Sequence, residues 1–224
     1  MQRLIEGYAR FRAQVYPQQS KLFERLAKGQ QPQALFICCS DSRVMPELVM
    51  QCDAGDLFPC RNAGNLIPPA AEMGCGVAAT VEYAIQVLKV PDVIVCGHSD
   101  CGAMKGILEH EQLESLPIVR SWLEHAGMSK WLTRTLKNST AMSFEERLQA
   151  VTEINVIAQL QNLKTHPAVD EAIKKGVVGL HGWMYDIGSG SIRRFDSKLG
   201  AFCELLQEEQ AATPALTKRE RKIA

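Results

Sequence analysis

Three residues of a kind that binds metal ions follow short apolar runs of the sequence. Cys39 comes directly after the run 34–38 (ALFIC), and His98 and Cys101 follow the run 93–96 (VIVC). Both runs are too short for a helix and show no polar alternation, so they predict strands buried on both faces of a parallel sheet. Because parallel strands end at one edge of a sheet, where ligands bind in α/β proteins, we expect the three side chains to converge there.

Two thiolates and one imidazole form a ligand set that suits Zn²⁺. Three protein ligands leave a fourth position open, which distinguishes catalytic zinc sites from closed structural ones. Cys101 also precedes a predicted helix that begins near Gly102, where the partial positive charge of the helix amino end lowers the pKa of a thiol. Taken singly, each residue would more often be a loop histidine or a small buried thiol, as we expect for Cys38, whose side chain points to the opposite face. Together they predict a catalytic site with one zinc ion per chain.

A carboxylate and a guanidinium follow the first predicted zinc ligand. Asp41 lies two residues after Cys39, and Arg43 lies two residues further on. A carboxylate beside a guanidinium stays ionised and is held by charge-assisted hydrogen bonds. Asp41 then either accepts a hydrogen bond from zinc-bound water or hydroxide, or moves onto the zinc as a fourth ligand and closes the site. A surface ion pair without a function is the ordinary alternative for two such residues.

The other acidic and imidazole side chains near these residues show no spacing that implies a role. Asp100 lies between His98 and Cys101, and we expect it to be an exposed loop residue. We expect the remaining histidines to be hydrogen-bonded within the fold or exposed to solvent, without a function in the site: His110, His125, His166 and His181.

The composition is that of an ordinary globular protein with no charge excess. The chain has 224 residues, of which 46% are hydrophobic and 22% charged, and Lys+Arg and Asp+Glu both number 25. This balance predicts neither a nucleic-acid partner nor binding to an anionic membrane. Residues 1–12 lack the apolar run of a signal peptide, and no stretch approaches the roughly 20 apolar residues of a membrane span. Eight cysteines then indicate buried thiols or metal ligands rather than disulfides, and we expect a cytoplasmic protein.

Strand and helix patterns alternate along the chain and predict a single α/β domain over residues 1–206. The expected architecture is a mostly parallel central sheet with an antiparallel edge strand, flanked by helices. Within a helical region over 102–176, Ser143 and Glu146 form a capping box for a long helix that runs through His166 until Pro167 stops it. Residues 207–224 are polar and predict a solvated tail. The predicted strands are 34–38, 57–62, 93–96, 177–186 and 191–195, and Pro59 places the second of them on an edge or at a bulge.

Two amphipathic helices precede the first predicted strand. Leu4, Tyr8, Phe11 and Val15 are spaced as the apolar stripe of one helix, and residues 18–28 predict a second. Neither helix has much of its own sequence to pack on. We therefore expect them to cover the sheet or to pack on a partner subunit.

Together, these residues resemble the β-class carbonic anhydrases. The family pattern C-x-D-x-R is present as residues 39–43 and the pattern H-x-x-C as residues 98–101. The opening helices and residues 153–167 are most similar to a bacterial subgroup that is often found with cyanate-degrading enzymes. The resemblance runs from Met1 to about Phe202 and includes Gly55–Phe58, Arg61–Asn65, Glu82–Ala84, Cys101–Met104 and Leu180–Trp183.

The resemblance implies the reversible hydration of CO₂ to bicarbonate and a proton, with attack by a zinc-bound hydroxide. By position, Gln30 is similar to the family's substrate-side amide donor, and Gly102 would offer a backbone N–H near the anion. Phe58 and Tyr83 are similar to an apolar pocket wall that the family completes across a dimer interface, which implies a homodimer or a dimer-based oligomer.

Two positions depart from patterns within the family. Some members close the site with the aspartate and carry a tryptophan three residues before the first zinc cysteine. Phe36 stands at that position here, which favours the open form. Pro59 and Cys60 replace the usual aliphatic pair of the second strand, which leaves the local strand geometry open.

Three other functions are compatible with parts of the sequence. The first is a non-catalytic zinc or scaffold homologue, for example in a CO₂-fixing compartment, although the intact Asp41–Arg43 pair argues against it. The second is a thiol redox protein that uses Cys38 and Cys39 or Cys101, but there is no C-x-x-C pattern and neighbouring cysteines on a strand point apart. The third is hydrolysis of COS or CS₂ by the same hydroxide.

Overall fold

The apolar run that ends at Cys39 lies inside a six-stranded sheet in the computed structural model, which describes residues 1–72, 74–126, 135 and 139–206. The strand order is β2-β1-β3-β4-β5-β6. Strands β2, β1, β3 and β4 are parallel to one another, whereas β5 and β6 are antiparallel. The predicted mostly parallel sheet is confirmed. The strands are β1 (Ala34–Cys39), β2 (Leu57–Asn62), β3 (Asp92–His98), β4 (Gly179–Tyr185), β5 (Ile192–Asp196) and β6 (Ala201–Glu204).

The two edges of the sheet differ in how well the sequence predicts them. In the described part of the chain, strand β2 pairs with β1 alone, so Pro59 lies on an edge strand as predicted, a position that tolerates a residue without an N–H. At the other edge, the predicted antiparallel strand is present as β5, and a further strand that the sequence did not predict, β6, pairs with it. Strand β6 has four residues, none of them buried, so it lacks the apolar run or alternation that would predict a strand.

Both faces of the central strands are buried, which explains their unbroken apolar sequences. Leu35 and Ile37 point to one face, where they join side chains of the helices that cover it. Phe36 and Cys38 point to the other face, in a second apolar cluster. The prediction that Cys38 belongs to the core is thus confirmed, and its burial raises the pKa of the thiol to about 12.

Helices connect the parallel strands, as βαβ topology requires. The long helix begins with the predicted capping box: Glu146 donates from its backbone N–H to Oγ of Ser143 at 3.1 Å, and Oε2 of Glu146 accepts from the Ser143 N–H at 2.7 Å. Pro167 ends this helix and starts the next one, since its fixed φ suits a first helical position. The helices are α1 (Gln2–Arg10), α2 (Ser20–Leu26), α3 (Pro46–Val49), α4 (Gly76–Tyr83), α5 (Gly102–Leu108), α6 (Pro117–Leu123), α7 (Phe144–Thr165) and α8 (Pro167–Lys174).

Helix α1 does not cover the sheet of its own chain. None of its residues is buried, and Leu4 and Tyr8 are 71% and 63% exposed. A cluster of aromatic rings, formed by Phe11, Tyr16 and Phe23, joins the turn after α1 to α2. Packing of these helices on a partner subunit stays a prediction.

Some sequence predictions fall outside the described part of the chain. The polar tail over 207–224 does so, and so do 127–134 and 136–138 of the predicted helical region. The domain boundary at residue 206 stays a prediction. Among the described helices, none combines the length and the apolar character needed to cross a bilayer.

Candidate metal centre

The three predicted metal ligands lie together at the carboxyl edge of the parallel strands. Cys39 is the last residue of β1, His98 is the last residue of β3, and Cys101 directly precedes α5. Their ligand atoms all lie within 4.8 Å of one another, and all three side chains are buried. Two soft sulfur ligands and one imidazole in this arrangement fit a zinc ion.

The imidazole of His98 has one satisfied nitrogen and one that lacks a partner. Nδ1 lies 2.9 Å from the carbonyl oxygen of Ser99, to which it can only donate. Nε2 is then the unprotonated nitrogen, and it is buried with no hydrogen-bond partner in the described residues. A buried polar atom without a partner costs free energy, which a bound metal ion would recover. A donor bond from the second ring nitrogen is also how ligating histidines are commonly oriented.

The two thiols affect each other's ionisation in opposite directions. The pKa of Cys39 is lowered to about 4, first because Cys101 donates a hydrogen bond to it. The same bond, together with burial, raises the pKa of Cys101. In the absence of a metal ion this arrangement favours one thiolate over two. A divalent cation favours the second thiolate as well, so metal uptake releases a proton.

The Asp41–Arg43 pair lies beside the ligands and is closely hydrogen-bonded. Nε and Nη2 of Arg43 donate to Oδ1 and Oδ2 of Asp41 at 3.0 and 2.7 Å, and the Arg43 backbone N–H donates to Oδ1 at 3.0 Å. These bonds hold the pKa of Asp41 well below its usual range. Both oxygens of Asp41 are thus occupied by Arg43, and neither belongs to the group of converging ligand atoms.

Asp100 takes part in this arrangement, a contact that the prediction of an exposed loop residue did not include. Its side chain is 53% exposed, as expected, but Nη1 of Arg43 donates to its Oδ2 at 2.9 Å. Nη2 of Arg43 also donates to the carbonyl oxygen of Asp100 at 3.1 Å, and Lys105 forms an ion pair with the carboxylate. Local spacing does not reveal these contacts, because Arg43 and Asp100 lie on different loops that only the sheet brings together.

Arg61 is a second residue whose function the sequence did not reveal. Its guanidinium donates to the carbonyl oxygens of Cys39, Asp41 and Val44, at 3.2, 2.8 and 2.8 Å. Arg61 thereby fixes the turn that carries both a metal ligand and the Asp41–Arg43 pair. Its place in β2, next to β1 in the sheet, brings it to these carbonyls, and local sequence patterns do not show that pairing.

The residues predicted to form the substrate pocket are spread over several elements. The rings of Phe58 and Tyr83 lie 6.0 Å apart between centroids, and Tyr83 is 46% exposed. Gln30 is exposed in the segment between α2 and β1, and Gly102 begins α5 with open space around its Cα. Their roles toward substrate stay predictions.

Three histidines without a predicted function contact carboxylate or carbonyl oxygens elsewhere in the fold. Nδ1 of His125 lies 2.9 Å from Glu72, Nε2 of His166 lies 2.9 Å from the carbonyl oxygen of Pro68, and Nε2 of His181 lies 2.7 Å from Asp92. The side chain of His110 lies outside the described part of the structure.

Fold and site together define a class: a parallel α/β protein with a buried Cys₂His group at the carboxyl edge of its sheet. A family model described as carbonic anhydrase matches residues 34–192. A carbonic anhydrase of Pseudomonas aeruginosa is 46% identical over 210 residues, which cover 94% of each chain. The chain belongs to the β-class carbonic anhydrases, a family of enzymes.

Solved structures of the family have the same fold. The structure of the β-carbonic anhydrase CcaA aligns with a TM-score of 0.85 at 43% identity, over 91% of this chain and 98% of that chain. A structure from a study of two tetrameric β-carbonic anhydrases of Sordaria macrospora aligns with a TM-score of 0.76 at 30% identity, over 90% of this chain and 97% of that chain.

Proposed function

We propose that this protein is a zinc-dependent carbonic anhydrase that catalyses the reversible hydration of CO₂ to bicarbonate and a proton. The observation that carries this proposal is the buried group of Cys39, His98 and Cys101, in which Nε2 of His98 lacks a hydrogen-bond partner among the described residues. These three residues would hold one zinc ion per chain. When bound, zinc supplies a Lewis acid that makes water nucleophilic near neutral pH.

Asp41 and Arg43 supply the orientation that this chemistry needs. Asp41 would accept a hydrogen bond from the nucleophilic water and direct its lone pair at CO₂. Arg43 holds both carboxylate oxygens, which keeps Asp41 ionised and supports the open site over its closure by Asp41. Two thiolates donate more charge to zinc than imidazoles would, which makes the metal a weaker Lewis acid. The reaction would therefore depend more on the orientation that the Asp41–Arg43 pair gives to the nucleophile.

The substrate pocket is proposed to form between two subunits of a homodimer or a dimer-based oligomer. Phe58 and Tyr83 would form its apolar wall, Gln30 would donate to the substrate, and the Gly102 N–H would lie near the anion. The large exposed fraction of Tyr83 and of α1 supports a neighbouring chain at these surfaces. The tetrameric relatives from Sordaria macrospora also support self-association.

We expect the protein to act in the cytoplasm, because none of the eight cysteines, all of which lie in the described residues, forms a disulfide. We also propose that the protein belongs to the bacterial subgroup that is often found with cyanate-degrading enzymes. Two alternatives remain within the same fold. A non-catalytic zinc scaffold, for example in a CO₂-fixing compartment, would not need the Asp41–Arg43 pair, and hydrolysis of COS or CS₂ would use the same site.

A stopped-flow assay of CO₂ hydration, with and without a zinc chelator, tests the proposal. We expect about one zinc per chain, activity that the chelator removes and added zinc restores, and loss of both metal and activity in Cys101→Ala. Full zinc content in Cys101→Ala by elemental analysis would contradict the assigned ligands. Stoichiometric zinc without CO₂ hydration would instead favour the scaffold or the hydrolysis of COS or CS₂.

A further inference from the structure

The loop between β2 and α4 donates a backbone hydrogen bond to a candidate metal ligand. Gly64 donates from this N–H to Sγ of Cys39, at 3.4 Å. A thiolate that accepts a hydrogen bond holds its electron pairs more tightly and donates less charge to a metal ion. The position of this one peptide group therefore affects the electronic character of the ligand.

Gly64 adopts a backbone conformation that suits only glycine at this place. Its φ is 80°, in the left-handed region, and an added Cβ would lie 2.9 Å from Cβ of Ala103 and 3.1 Å from Cε of Met104. The loop backbone thus lies directly against α5. This close approach is what brings the Gly64 N–H within reach of the sulfur.

Side chains of two helices hold the peptide groups on both sides of Gly64. Trp122 of α6 donates from Nε1 to the carbonyl oxygen of Ala63 at 2.8 Å, and that carbonyl belongs to the same peptide group as the Gly64 N–H. Asn155 of α7 is fully buried and donates from Nδ2 to the carbonyl oxygen of Gly64 at 3.0 Å. Oδ1 of Asn155 accepts in turn from Nε2 of Gln159 at 3.0 Å, which fixes the orientation of the amide.

These bonds form a directed chain that ends on the metal ligand. A donor on the Ala63 carbonyl polarises the peptide group and strengthens its N–H as a donor toward Cys39. Breaking the bond from Asn155 to Gly64 would leave a buried amide unpaired, which costs free energy, so this bond is expected to persist. Both side chains thus favour one orientation of the Gly64 N–H.

We propose that Trp122 and Asn155 are positioning residues that direct the Gly64 N–H at the Cys39 sulfur and so set how much charge this thiolate donates to the bound metal. The inference rests on the proposed metal centre. The simpler alternative is that both side chains only satisfy loop carbonyls. Asn162 of the same helix offers a control: it donates to the carbonyl oxygen of Ile67 in the same loop at 2.8 Å and to Oε1 of Gln159 at 3.3 Å, and it reaches Asn155 only through Gln159.

The test uses the protein loaded with Co²⁺, whose absorption includes a thiolate-to-metal charge-transfer band. We compare the wild type with Trp122→Phe, Asn155→Ala and the control Asn162→Ala. Loss of the bond to Cys39 makes the thiolate a stronger donor, so the band should move to longer wavelength in the first two variants only.

The outcomes separate this inference from damage to the fold and from failure of the metal centre. An unmoved band in folded Trp122→Phe and Asn155→Ala, with folding checked by urea unfolding, would overturn the inference. An equal shift in Asn162→Ala would also overturn it, since general loosening of the loop would then suffice. If Asn155→Ala does not fold, Trp122→Phe decides alone, because it keeps an aromatic ring. A wild type without the band, or Cys39→Ala that retains it unchanged, would instead refute the proposed metal centre.

Discussion

At the scale of single residues, Arg43 divides its guanidinium donors between two aspartates. Nε and Nη2 bind the carboxylate of Asp41, while Nη1 and Nη2 bind the side chain and backbone of Asp100. Arg43 is thus fixed from two loops, each of which also carries a candidate metal ligand. Any motion of Asp41 toward the metal would have to break a bidentate, charge-assisted pair.

The ionised Asp41–Arg43 pair is stable over the whole neutral and mildly acidic range. The folded pKa of Asp41 lies below its usual value of 3.8, so the stability that the pair contributes is complete above about pH 4 and is lost as the pH falls further. If acidification lowers the activity while the pH is still above about 4, another group must be responsible. Protonation of the thiolates, with release of zinc, is the expected cause.

Replacement of Asp41 by asparagine distinguishes an orienting role from a capping role. If Asp41 orients the nucleophile, Asp41→Asn keeps zinc but lowers kcat/KM by roughly 10²-fold or more. If Asp41 instead caps the metal, the same change opens the site and raises activity at mildly acidic pH. Arg43→Ala frees Asp41 to move onto the metal, and we expect it to be inactive at neutral pH. The measurements are pH–rate profiles with zinc content, and near-native activity of zinc-loaded Asp41→Asn would refute a role for the pair.

Asp100 should act through Arg43 and have a smaller effect. Asp100→Asn removes one carboxylate from Arg43 but leaves its bidentate contact to Asp41 and its bond to the backbone of residue 100. Because exposed ion pairs contribute about 0.2–1 kcal/mol, we expect a decrease in kcat/KM of less than roughly fivefold. In a double-mutant cycle, Asp100→Asn should add nothing to Asp41→Asn, since both act through Arg43. Additive losses would show that Asp100 works independently of the pair.

At the scale of elements, the sequence predicts those features that depend on local patterns. The apolar runs of β1 and β3 reveal buried parallel strands, and the capping box of Ser143 and Glu146 locates the start of α7, because each signal is complete within a few residues. Strand β6 and the contact of Arg43 with Asp100 were missed for the opposite reason. Both depend on which segments the sheet brings side by side, and no local spacing encodes that.

At the scale of the whole molecule, the exposed helices at the amino end imply an assembly. Deletion of residues 1–17 should yield monomers or insoluble protein, because α1 presents Leu4, Ile5 and Tyr8 to solvent in a single chain. Light scattering of the truncated and full-length proteins measures this directly. A full-length variant with Leu4→Ser and Tyr8→Ser tests the same surface without shortening the chain. A stable, fully active monomer in either case would contradict the proposed oligomer.

The placement of the three ligands makes a bound metal ion a cross-link between distant parts of the chain. Cys39 ends β1, whereas His98 ends β3 and Cys101 lies just beyond it, so the ion closes a long loop that the unfolded chain must otherwise leave open. Folding and metal uptake are then one linked equilibrium. Once free zinc exceeds its dissociation constant, the free energy of unfolding should rise by about 1.4 kcal/mol for each tenfold increase in free zinc. Urea unfolding in zinc buffers measures this slope, which should vanish in Cys39→Ala, and a flat response of the wild type would show that the fold does not depend on its metal.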